Sequence, residues 1–487
     1  MTATTTPISL ERLMTTSNVG FGTSGARGLV SDMTDTLCYA YTLAFLQAVV
    51  GKPGPIVLGH DLRPSSPKMA AACAVAMRDA GYIVIYVGAL PTPALAYYAA
   101  ILNAPCLVVT GSHIPFDRNG LKFYRADGEI SKLNESAMRA AVVMVPDEIS
   151  PLMLGEPDIR ARDAYVQRYL NFFGPHVLTG LRIAVYEHSS VARDVLSEIL
   201  LGLGADVLPL GRADTFVPIE TEAVRAEDLV RAKLWSDAHD FDAILSTDGD
   251  GDRPLIGDEH GQWLRGDMVG VLCAQYLAAD TVVTPVSSNT AVELCETFSQ
   301  VIRTRIGSPY VIAGMKAASI EARAQTGHVV VGYEANGGFL LGTNVVHEGR
   351  GLTALPTRDA VLPMLALLCL ARDQSTVLSQ LSRTLPARYT ASERLANFAS
   401  GLSVALLTRL SDNLIQAALQ LAPDAGEVVA VNKVDGLRLS FASGDIVHLR
   451  PSGNAPELRC YAEASTALRA TQLCTDCLQR LSSLRED

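Results

Sequence analysis

Three aspartates alternate with glycines in residues 248–253 (DGDGDR), directly after an apolar run at residues 241–246. Carboxylates this close repel one another by about 1 kcal/mol per pair in water and by about 4 kcal/mol at an effective dielectric constant of 20. A divalent cation removes that repulsion, and ligands that are all oxygen favour Mg²⁺ or Ca²⁺. Asp248, Asp250 and Asp252 are therefore candidate metal ligands, with a solvated acidic turn as the alternative.

Two other motifs share this spacing. An EF-hand loop starting at Asp248 would have Glu259 at its twelfth position, but its sixth residue is Arg253 where glycine is required, and a strand precedes it where a helix is required. An aspartyl-phosphate phosphatase also has an Asp-x-Asp pair after a buried strand, with the first Asp as nucleophile. That alternative stays open.

A second polar loop also follows an apolar run. Residues 104–109 lead into residues 110–115 (TGSHIP), which contain Ser112 and His113, and a polar turn at residues 117–120 precedes Lys122. A short apolar run that ends in Gly, Ser and Pro indicates a strand followed by a tight loop. Open α/β folds have their chemistry at the carboxyl ends of such strands. Taken alone, Ser112 also fits an ordinary turn residue.

Two basic loops could bind anions. Residues 22–27 (GTSGAR) could bring backbone N–H groups and Arg27 to an anion. Arg253 follows the third aspartate, where a permanent cation beside a metal suits a phosphate group. Residues 450–454 (RPSGN) form a second candidate anion site, made of Arg450, Ser452, Gly453 and Asn454. A plain Pro-Gly turn is the alternative for residues 450–454.

One further glycine-rich loop contains side chains that could bind the hydroxyl groups of a sugar. Residues 332–338 (GYEANGG) contain Glu334, Asn336 and Gly337. The carboxylate accepts hydrogen bonds and the amide both donates and accepts them, which is what sugar hydroxyls need. An ordinary glycine-rich turn is again the alternative.

The elements that must position these loops alternate between strand and helix patterns. Alternation of this kind implies βαβ units and a mainly parallel sheet. The pattern restarts twice, and from about residue 373 it changes to amphipathic helices and short strands. We therefore predict three successive α/β domains with mainly parallel mixed sheets (residues 1–150, 151–260 and 261–372) and a smaller C-terminal α+β domain (residues 373–487).

Composition limits the class of protein. A chain of 487 residues with 48% hydrophobic and 19% charged residues is globular and long enough for several cores. Its net charge of −11 argues against a general nucleic-acid or anionic-membrane surface. The apolar run at residues 361–371 is too short to span a bilayer. Nine scattered cysteines and a start without a targeting pattern predict a cytoplasmic location.

Taken together and in this order, the loops resemble those of the α-D-phosphohexomutase superfamily, the phosphomannomutase and phosphoglucomutase group. Residues 22–27 resemble its N-terminal signature and residues 110–115 its phosphoserine loop. Residues 248–253 resemble its metal loop, residues 334–337 its sugar-specificity loop, and residues 450–454 its phosphate-binding loop. The resemblance covers essentially the whole chain.

The resemblance implies the order of the four domains around one central cleft: phosphoserine loop, metal binding, sugar recognition and phosphate binding. Ser112 would carry a phosphate in the resting enzyme, and Mg²⁺ would join that phosphate to the three aspartates. The phosphate would pass to the sugar through a bisphosphorylated intermediate, which also serves as primer. Arg27 and Arg253 would lie near the transferring group, and His113 or Lys122 would transfer a proton, Lys122 with a lowered pKa.

Two residues depart from the family pattern. Ile114 stands where the family commonly has Asn, and Asn336 stands where mutases for mannose and glucose phosphates usually have Ser. Residues 306–310 (IGSPY) are similar to phosphoglucosamine mutases, whereas residues 215–222 (TFVPIETE) and 356–360 (PTRDA) are similar to bacterial phosphomannomutases.

We therefore predict a phosphomannomutase that interconverts mannose 1-phosphate and mannose 6-phosphate. We expect a monomer or homodimer that acts on hexose phosphates, with no nucleic-acid or membrane partner. The alternatives are a phosphoglucomutase, a phosphoglucosamine or N-acetylglucosamine-phosphate mutase, an aspartyl-phosphate phosphatase, and a non-catalytic sugar-phosphate binder.

Overall fold

The computed structural model describes residues 5–22, 24–150, 153–321, 327–452 and 457–483. The chain forms two compact units. The first comprises residues 1–279 and 307–382, and the second comprises residues 280–306 and 383–487. The predicted boundaries of four domains at residues 150, 260 and 372 stay a prediction.

The first part of the chain alternates strands and helices, as predicted. In chain order the elements are β1 (Thr5–Ser9), α1 (Leu10–Ser17), β2 (Gly20–Phe21), β3 (Ala26–Leu29), α2 (Asp35–Phe45) with a π-helical turn (Leu46–Val50), β4 (Pro55–His60), α3 (Ser66–Asp79), β5 (Ile83–Ala89), α4 (Thr92–Ile101), β6 (Cys106–Val109), β7 (Arg118–Arg125), β8 (Gly128–Glu129), α5 (Lys132–Arg139) and β9 (Val142–Pro146).

Seven of these strands form a mixed sheet in the order β2-β3-β7-β6-β4-β5, with β8 paired to β7, and β1 pairs separately with β9. Strand β4 is parallel to β5 and β6, and the four apolar residues of β6 are all buried, as expected for a strand covered on both faces. The chain then turns back, and β7 pairs with β6 in antiparallel register, so that Lys122 lies opposite Val108.

Residues 118–120 differ from the predicted polar turn. They form the start of β7, where Asn119 pairs with Gly28 and Arg118 with Leu29. The predicted turn was wrong there because the backbone groups of these polar residues join the antiparallel ladder with β3, a long-range pairing that local composition does not reveal.

The second stretch is a smaller mixed sheet with helices. Its elements are α6 (Arg160–Phe173), β10 (Arg182–Tyr186), α7 (Arg193–Gly202), β11 (Asp206–Leu210), α8 (Ala226–Ala238), β12 (Ala243–Thr247) and β13 (Pro254–Gly257). The strand order is β11-β10-β12-β13, with β10 parallel to β11 and β12, and β13 antiparallel to β12. The three aspartates therefore lie in the connection from β12 to β13.

The first unit continues with α9 (Gly266–Tyr276), after which the chain enters the second unit with β14 (Thr281–Pro285), α10 (Ala291–Leu294) and β15 (Gln300–Thr304). It returns to the first unit with α11 (Ser308–Glu321), β16 (Val330–Tyr333), β17 (Phe339–Leu341), β18 (Val345–His347), β19 (Arg350–Leu352), β20 (Leu355–Asp359), α12 (Val361–Asp373) and α13 (Leu378–Leu381). Strands β16 and β17 form a hairpin whose turn holds Glu334 and Asn336.

In the second unit β14 and β15 are parallel. After a 3₁₀ turn (Ser382–Thr384) the chain adds β21 (Tyr389–Leu395), α14 (Ser400–Asp412), α15 (Leu414–Leu421), β22 (Val428–Asn432), β23 (Leu437–Phe441), β24 (Ile446–Pro451), β25 (Leu458–Ala464) and α16 (Ala467–Ser483). These strands form an antiparallel sheet in the order β21-β25-β24-β23-β22. Leu439, Leu449 and Leu473 belong to its buried core.

The predicted fold class is confirmed, since α/β segments with mixed sheets precede a C-terminal α+β segment. Among the described residues, no single helix has the length and apolar character to cross a bilayer. In the described part of the chain, one pair of helical segments, Val361–Asp373 and Leu378–Thr384, reaches that length and apolar character when the two are taken together, but they are bent by 90°.

Candidate active site

Ser112 lies just after β6 and is fully buried. Its Oγ donates a hydrogen bond of 2.6 Å to Asp248 Oδ2, and its backbone N–H donates to Thr110 Oγ1 at 2.8 Å. The φ angle of Ser112 is +54°, a left-handed conformation that is uncommon for a residue other than glycine and is concentrated at functional sites. The turn after β6 thus directs this hydroxyl at the aspartate loop.

The three aspartates converge. Asp248, Asp250 and Asp252 are all fully buried, and one carboxylate oxygen from each lies within 4.8 Å of the others. The glycine between the first two is required by the close approach of the serine loop, because a Cβ at Gly249 would lie 2.8 Å from the carbonyl oxygen of Ser112. The structure therefore brings the predicted serine and the predicted metal ligands together.

Three cations surround these carboxylates. Lys122 Nζ lies 2.6 Å from both Asp250 Oδ2 and Asp252 Oδ2. Arg358 donates to Asp252 Oδ2 from Nη2 at 2.9 Å and from Nε at 3.1 Å. The Nε of Arg253 lies 3.9 Å from Asp252 Oδ1. Lys122 and Arg253 were predicted for this site, and Arg358 was not.

The three carboxylates differ in the direction of their pKa shifts, because the neighbouring cations are unevenly distributed among them. Burial and the neighbouring charges of Asp250 and Asp252 raise the pKa of Asp248 well above its usual range. Burial also opposes ionisation of the other two, but Lys122 lowers the pKa of Asp250, and Arg358 lowers the pKa of Asp252. Without a bound cation, Asp248 is therefore the carboxylate that is least well compensated.

Lys122 and His113 have opposite pKa shifts. Burial would lower the pKa of Lys122, but the charges of Asp250 and Asp252 outweigh burial and raise it. Proton transfer by Lys122 would need a lowered pKa, and the direct contact of the lysine with two carboxylates shifts its pKa in the opposite direction. The charge of Arg253 and burial lower the pKa of His113, whose Nδ1 lies 3.4 Å from Ser112 Oγ. His113 is therefore neutral at pH 7.

Two carboxylate oxygens of this site are available as metal ligands. Asp250 Oδ1 and Asp252 Oδ1 are buried and have no hydrogen-bond partner among the described residues. Buried polar atoms without a partner are rare and call for a missing ligand or water. Three carboxylates with spare oxygens next to a serine hydroxyl fit a hard divalent cation such as Mg²⁺.

Arg27 lies on β3, opposite Gly120 of β7. Burial and the charge of Arg253 lower the pKa of Arg27 to about 10, so that it remains charged at neutral pH. Two like charges held near each other in a buried place are unfavourable unless an anion lies between them. The arrangement suits a phosphate group.

The predicted sugar loop is tied to the aspartate loop by Arg358, whose Nη1 donates to Glu334 Oε2 at 3.1 Å. Asn336 stabilises its own turn, because its Oδ1 accepts from the N–H of Gly338 at 2.9 Å and the following Gly337 has a φ of +86°. The carbonyl of Asn336 accepts from Thr221 Oγ1 at 2.8 Å. Glu334 and Asn336 thus lie on a fixed turn, connected to Asp252 through one arginine.

The other predicted anion loop lies in the second unit. Arg450, on β24, pairs through Nε with Asp435 Oδ2 at 2.8 Å. Arg450 and Ser452 line a cavity of about 600 Å³ together with Arg305 and Lys433. Gly453 and Asn454 lie outside the described residues.

Sequence reasoning missed Arg63, Thr92 and Arg358. Thr92 begins α4, and its Oγ1 donates to Asp250 Oδ2 at 2.6 Å. Arg63 follows β4, and the rule that polar residues after parallel strands lie near the site could have found it. Arg358 lies in residues 356–360, which drew notice only for their resemblance to other sequences.

The backbone contacts of Ile114 show how an isoleucine can stand where the family commonly has Asn. Its N–H donates to the carbonyl of Gly111 at 3.2 Å, and its own carbonyl accepts from Arg63 Nη2 at 2.6 Å. The turn therefore uses the backbone of this residue, and an isoleucine backbone supplies the same N–H and carbonyl groups as that of an asparagine.

Comparison with known families gives three matches along the chain. Residues 18–142 match the phosphoglucomutase/phosphomannomutase alpha/beta/alpha domain I, and residues 265–389 match domain III of the same family. Residues 406–479 match its C-terminal domain.

Full-length relatives agree with these matches. A phosphomannomutase from Salmonella muenchen is 45% identical over 96% of this chain and 96% of its own length, and one from Sinorhizobium fredii is 43% identical over 95% and 98%. A solved phosphoglucomutase/phosphomannomutase family protein from Burkholderia thailandensis shares the fold with a TM-score of 0.72, at 21% identity over 95% of this chain and 97% of its own. The family resemblance predicted from the five loops is therefore confirmed: the chain belongs to the phosphoglucomutase/phosphomannomutase family, within the α-D-phosphohexomutase superfamily.

Proposed function

We propose that this protein is a phosphomannomutase that interconverts mannose 1-phosphate and mannose 6-phosphate, with Ser112 as the covalent phosphate carrier. The observation that carries the proposal is the hydrogen bond of 2.6 Å from the buried Ser112 Oγ to Asp248, one of three converging aspartates. The identity of 45% and 43% to two phosphomannomutases over nearly the whole chain supports mannose phosphate as the substrate.

In the first step, a hydroxyl oxygen of the sugar phosphate attacks the phosphorus on Ser112, the bond from phosphorus to Oγ breaks, and a bisphosphorylated sugar forms. In the second step, the other phosphate of this sugar returns to Ser112, and the isomeric monophosphate is released. Asp248, Asp250 and Asp252 would hold Mg²⁺ beside the oxygen of Ser112, and the ion would neutralise charge on the transferring group. A sugar bisphosphate would therefore also phosphorylate an enzyme that has lost its phosphate.

The protein's own residues would supply the remaining charge and the proton transfer. Arg27 and Arg253 would stabilise the phosphate oxygens, since phosphoryl transfer depends mainly on positioning and on charge stabilisation. Neutral His113, 3.4 Å from Ser112 Oγ, can accept the proton of the sugar hydroxyl. Lys122 stays protonated in contact with Asp250 and Asp252, so it would act first as a charge.

Two loops would bind the rest of the substrate. Glu334 would accept hydrogen bonds from sugar hydroxyls, and Asn336 would donate through its Nδ2 because its Oδ1 already accepts from Gly338. Gly337 would let the sugar approach the backbone of this turn. Arg450 and Ser452, with Gly453 and Asn454, would bind the phosphate that is not reacting.

The test is a side-by-side assay of mannose, glucose and glucosamine 1-phosphates with Mg²⁺ and a trace of the matching bisphosphate. We expect the mannose substrate to give the highest kcat/KM and free phosphate to be a minor product. The intact mass of the purified chain should show a phosphate adduct that Ser112→Ala lacks.

Three outcomes would contradict the proposal. Stoichiometric free phosphate that is lost on Asp248→Asn would indicate an aspartyl-phosphate phosphatase. A higher kcat/KM for glucosamine phosphate would move the substrate to an amino sugar. Phosphate incorporation that persists in Ser112→Ala would exclude Ser112 as the carrier.

A further inference from the structure

Arg63 is almost completely buried and follows β4 directly, on the side of the sheet where Ser112 lies. Its guanidinium donates four hydrogen bonds to backbone carbonyls of the turn after β6 and of the first residue of β7. Nη2 donates to the carbonyls of Ser112 (2.9 Å) and Ile114 (2.6 Å), and Nη1 donates to those of Pro115 (2.7 Å) and Arg118 (2.9 Å). The carbonyls of the serine turn thus converge on a single side chain.

Asp61 fixes the other side of this guanidinium, with Oδ2 3.3 Å from Arg63 Nε. The same carboxylate oxygen accepts from Thr110 Oγ1 at 2.7 Å and from the N–H of Gly111 at 3.3 Å. Asp61 therefore joins the arginine to the two residues that lead into Ser112. A Cβ at Gly111 would lie 2.6 Å from Arg63 Cζ, so this glycine is required by the close approach of the guanidinium.

Phe216 covers one face of the guanidinium, with its ring centroid 3.9 Å from Cζ. The guanidinium of Arg63 is therefore fixed by the Asp61 carboxylate at Nε, by the Phe216 ring on one face, and by four backbone carbonyls at Nη1 and Nη2. Nη1 and Nη2 both donate to backbone carbonyls, whereas Nε faces the carboxylate of Asp61.

We propose that Arg63 is a positioning residue for phosphoryl transfer, which holds the turn of residues 112–118 so that Ser112 Oγ is directed at the aspartates. The inference rests on the proposed function of Ser112. If the guanidinium were removed, the carbonyls of residues 112, 114, 115 and 118 would lose a shared partner, and the carbonyl of Ser112 would lose it in a buried place. The turn would then reorient to find other partners. Ser112 could then leave its left-handed conformation, and Oγ would no longer lie beside Asp248.

A lysine should not replace this arginine. An ammonium group carries the charge but presents three donors from one nitrogen, whereas the guanidinium presents a rigid planar fork. The positioning role therefore predicts that Arg63→Lys behaves like Arg63→Met. A role in charge alone predicts that Arg63→Lys behaves like the wild type.

The experiment compares Arg63→Lys and Arg63→Met with Arg78→Met, a control in which a half-exposed arginine at the end of α3 is replaced. Amide hydrogen exchange of the full chain, without substrate, should become about tenfold faster in residues 113–118 of both Arg63 variants while other segments keep their rates. With mannose 1-phosphate, kcat should fall about a hundredfold, the effect of displacing a reacting atom by about 1 Å, and KM should change less than about threefold. Arg78→Met should match the wild type in both measurements.

Unchanged exchange in residues 113–118, or near wild-type kcat in Arg63→Lys, would overturn the inference. So would an equal loss in kcat and in affinity for the hexose phosphate, which marks a general structural defect. If the Arg63 variants do not fold, Phe216→Leu removes only the covering ring, and it should still accelerate exchange of the same turn and lower kcat by about threefold. If the wild type is inactive on hexose phosphates while the Arg63 variants still exchange faster in residues 113–118, the proposed function is contradicted, but the role of Arg63 in holding the turn is not.

Discussion

Three causes oppose the ionisation of Asp248: its complete burial, the negative charge of Asp250 and the negative charge of Asp252. Lys122 lies against the other two aspartates and not against this one. A buried carboxylate in such a place is retained for what it binds, since functional sites often hold groups that destabilise the fold.

We therefore expect Asp248→Asn to stabilise the metal-free protein at pH 7. The gain in the free energy of unfolding should be roughly 1 to 4 kcal/mol, the repulsion between two unit charges 4 Å apart in water and at an effective dielectric constant of 20. Because the pKa of Asp248 is raised in the folded state, the wild type loses stability as pH rises above the pKa of the unfolded carboxyl, about 3.9. The gain of the variant should therefore shrink as the pH is lowered toward 4.

Urea unfolding at pH 7 and pH 4.5 in the presence of EDTA measures both effects. Asp240→Asn is the control, because Asp240 is exposed on the loop after α8. A variant that is less stable than the wild type at pH 7 would show that the neighbouring cations outweigh the two carboxylates.

At the scale of elements, the start of α4 supports the aspartate loop. The N–H of Thr92 donates to the carbonyl of Asp250 at 2.9 Å, and Thr92 Oγ1 donates to Asp250 Oδ2 at 2.6 Å. One residue at a helix start thus fixes both the backbone and the carboxylate of a predicted metal ligand. Groups that orient metal ligands in this way are commonly worth a factor of ten or more in affinity.

Thr92→Val keeps the shape of the side chain and removes the donor. We expect the Mg²⁺ concentration that gives half-maximal mutase activity to rise by about 10- to 100-fold, because Asp250 Oδ2 keeps its contact with Lys122 but loses the hydrogen bond from Thr92 that orients it. Thr92→Ser keeps the hydroxyl and serves as the matched control, which should stay within about threefold of the wild type. Equal Mg²⁺ requirements in the Val and Ser variants would show that the bond to Asp250 does not orient a metal ligand.

At the scale of the whole molecule, the predicted metal ligands and both tryptophans belong to the same compact unit. Trp235 and Trp263 are the two tryptophans of the sequence, and they lie with Asp248, Asp250 and Asp252 in the first unit. Tryptophan fluorescence therefore reports the unfolding of the unit that would bind Mg²⁺.

We expect Mg²⁺ to raise the midpoint of thermal unfolding observed by tryptophan fluorescence, and EDTA to reverse the effect. At a Mg²⁺ concentration of 100 times Kd, binding to the folded state alone adds about 2.7 kcal/mol. Asp252→Asn should abolish the shift, whereas Asp240→Asn should keep it. A shift that is the same in wild type and Asp252→Asn would place the bound cation elsewhere.

The sequence alone determined the family, the fold class and most of the candidate site. The loop of Ser112 and the loop of the three aspartates each follow an apolar strand pattern, and the carboxyl ends of parallel strands bring such loops to one edge of a sheet. Ser112, Lys122, Arg253 and the three aspartates could therefore be predicted as partners from their positions along the chain, and the structure places them in contact or within a few ångströms.

Which cationic side chain contacts which carboxylate or carbonyl depends on the tertiary structure. Arg358 lies 106 residues from Asp252, and Arg63 lies 49 residues from Ser112, so no local pattern links them. The raised pKa of Lys122 also follows from its contact with two carboxylates, which lie 128 and 130 residues away in the sequence. Strand and loop patterns are local and can be read from composition and period, whereas pairings between side chains depend on how distant segments pack, which local sequence does not encode.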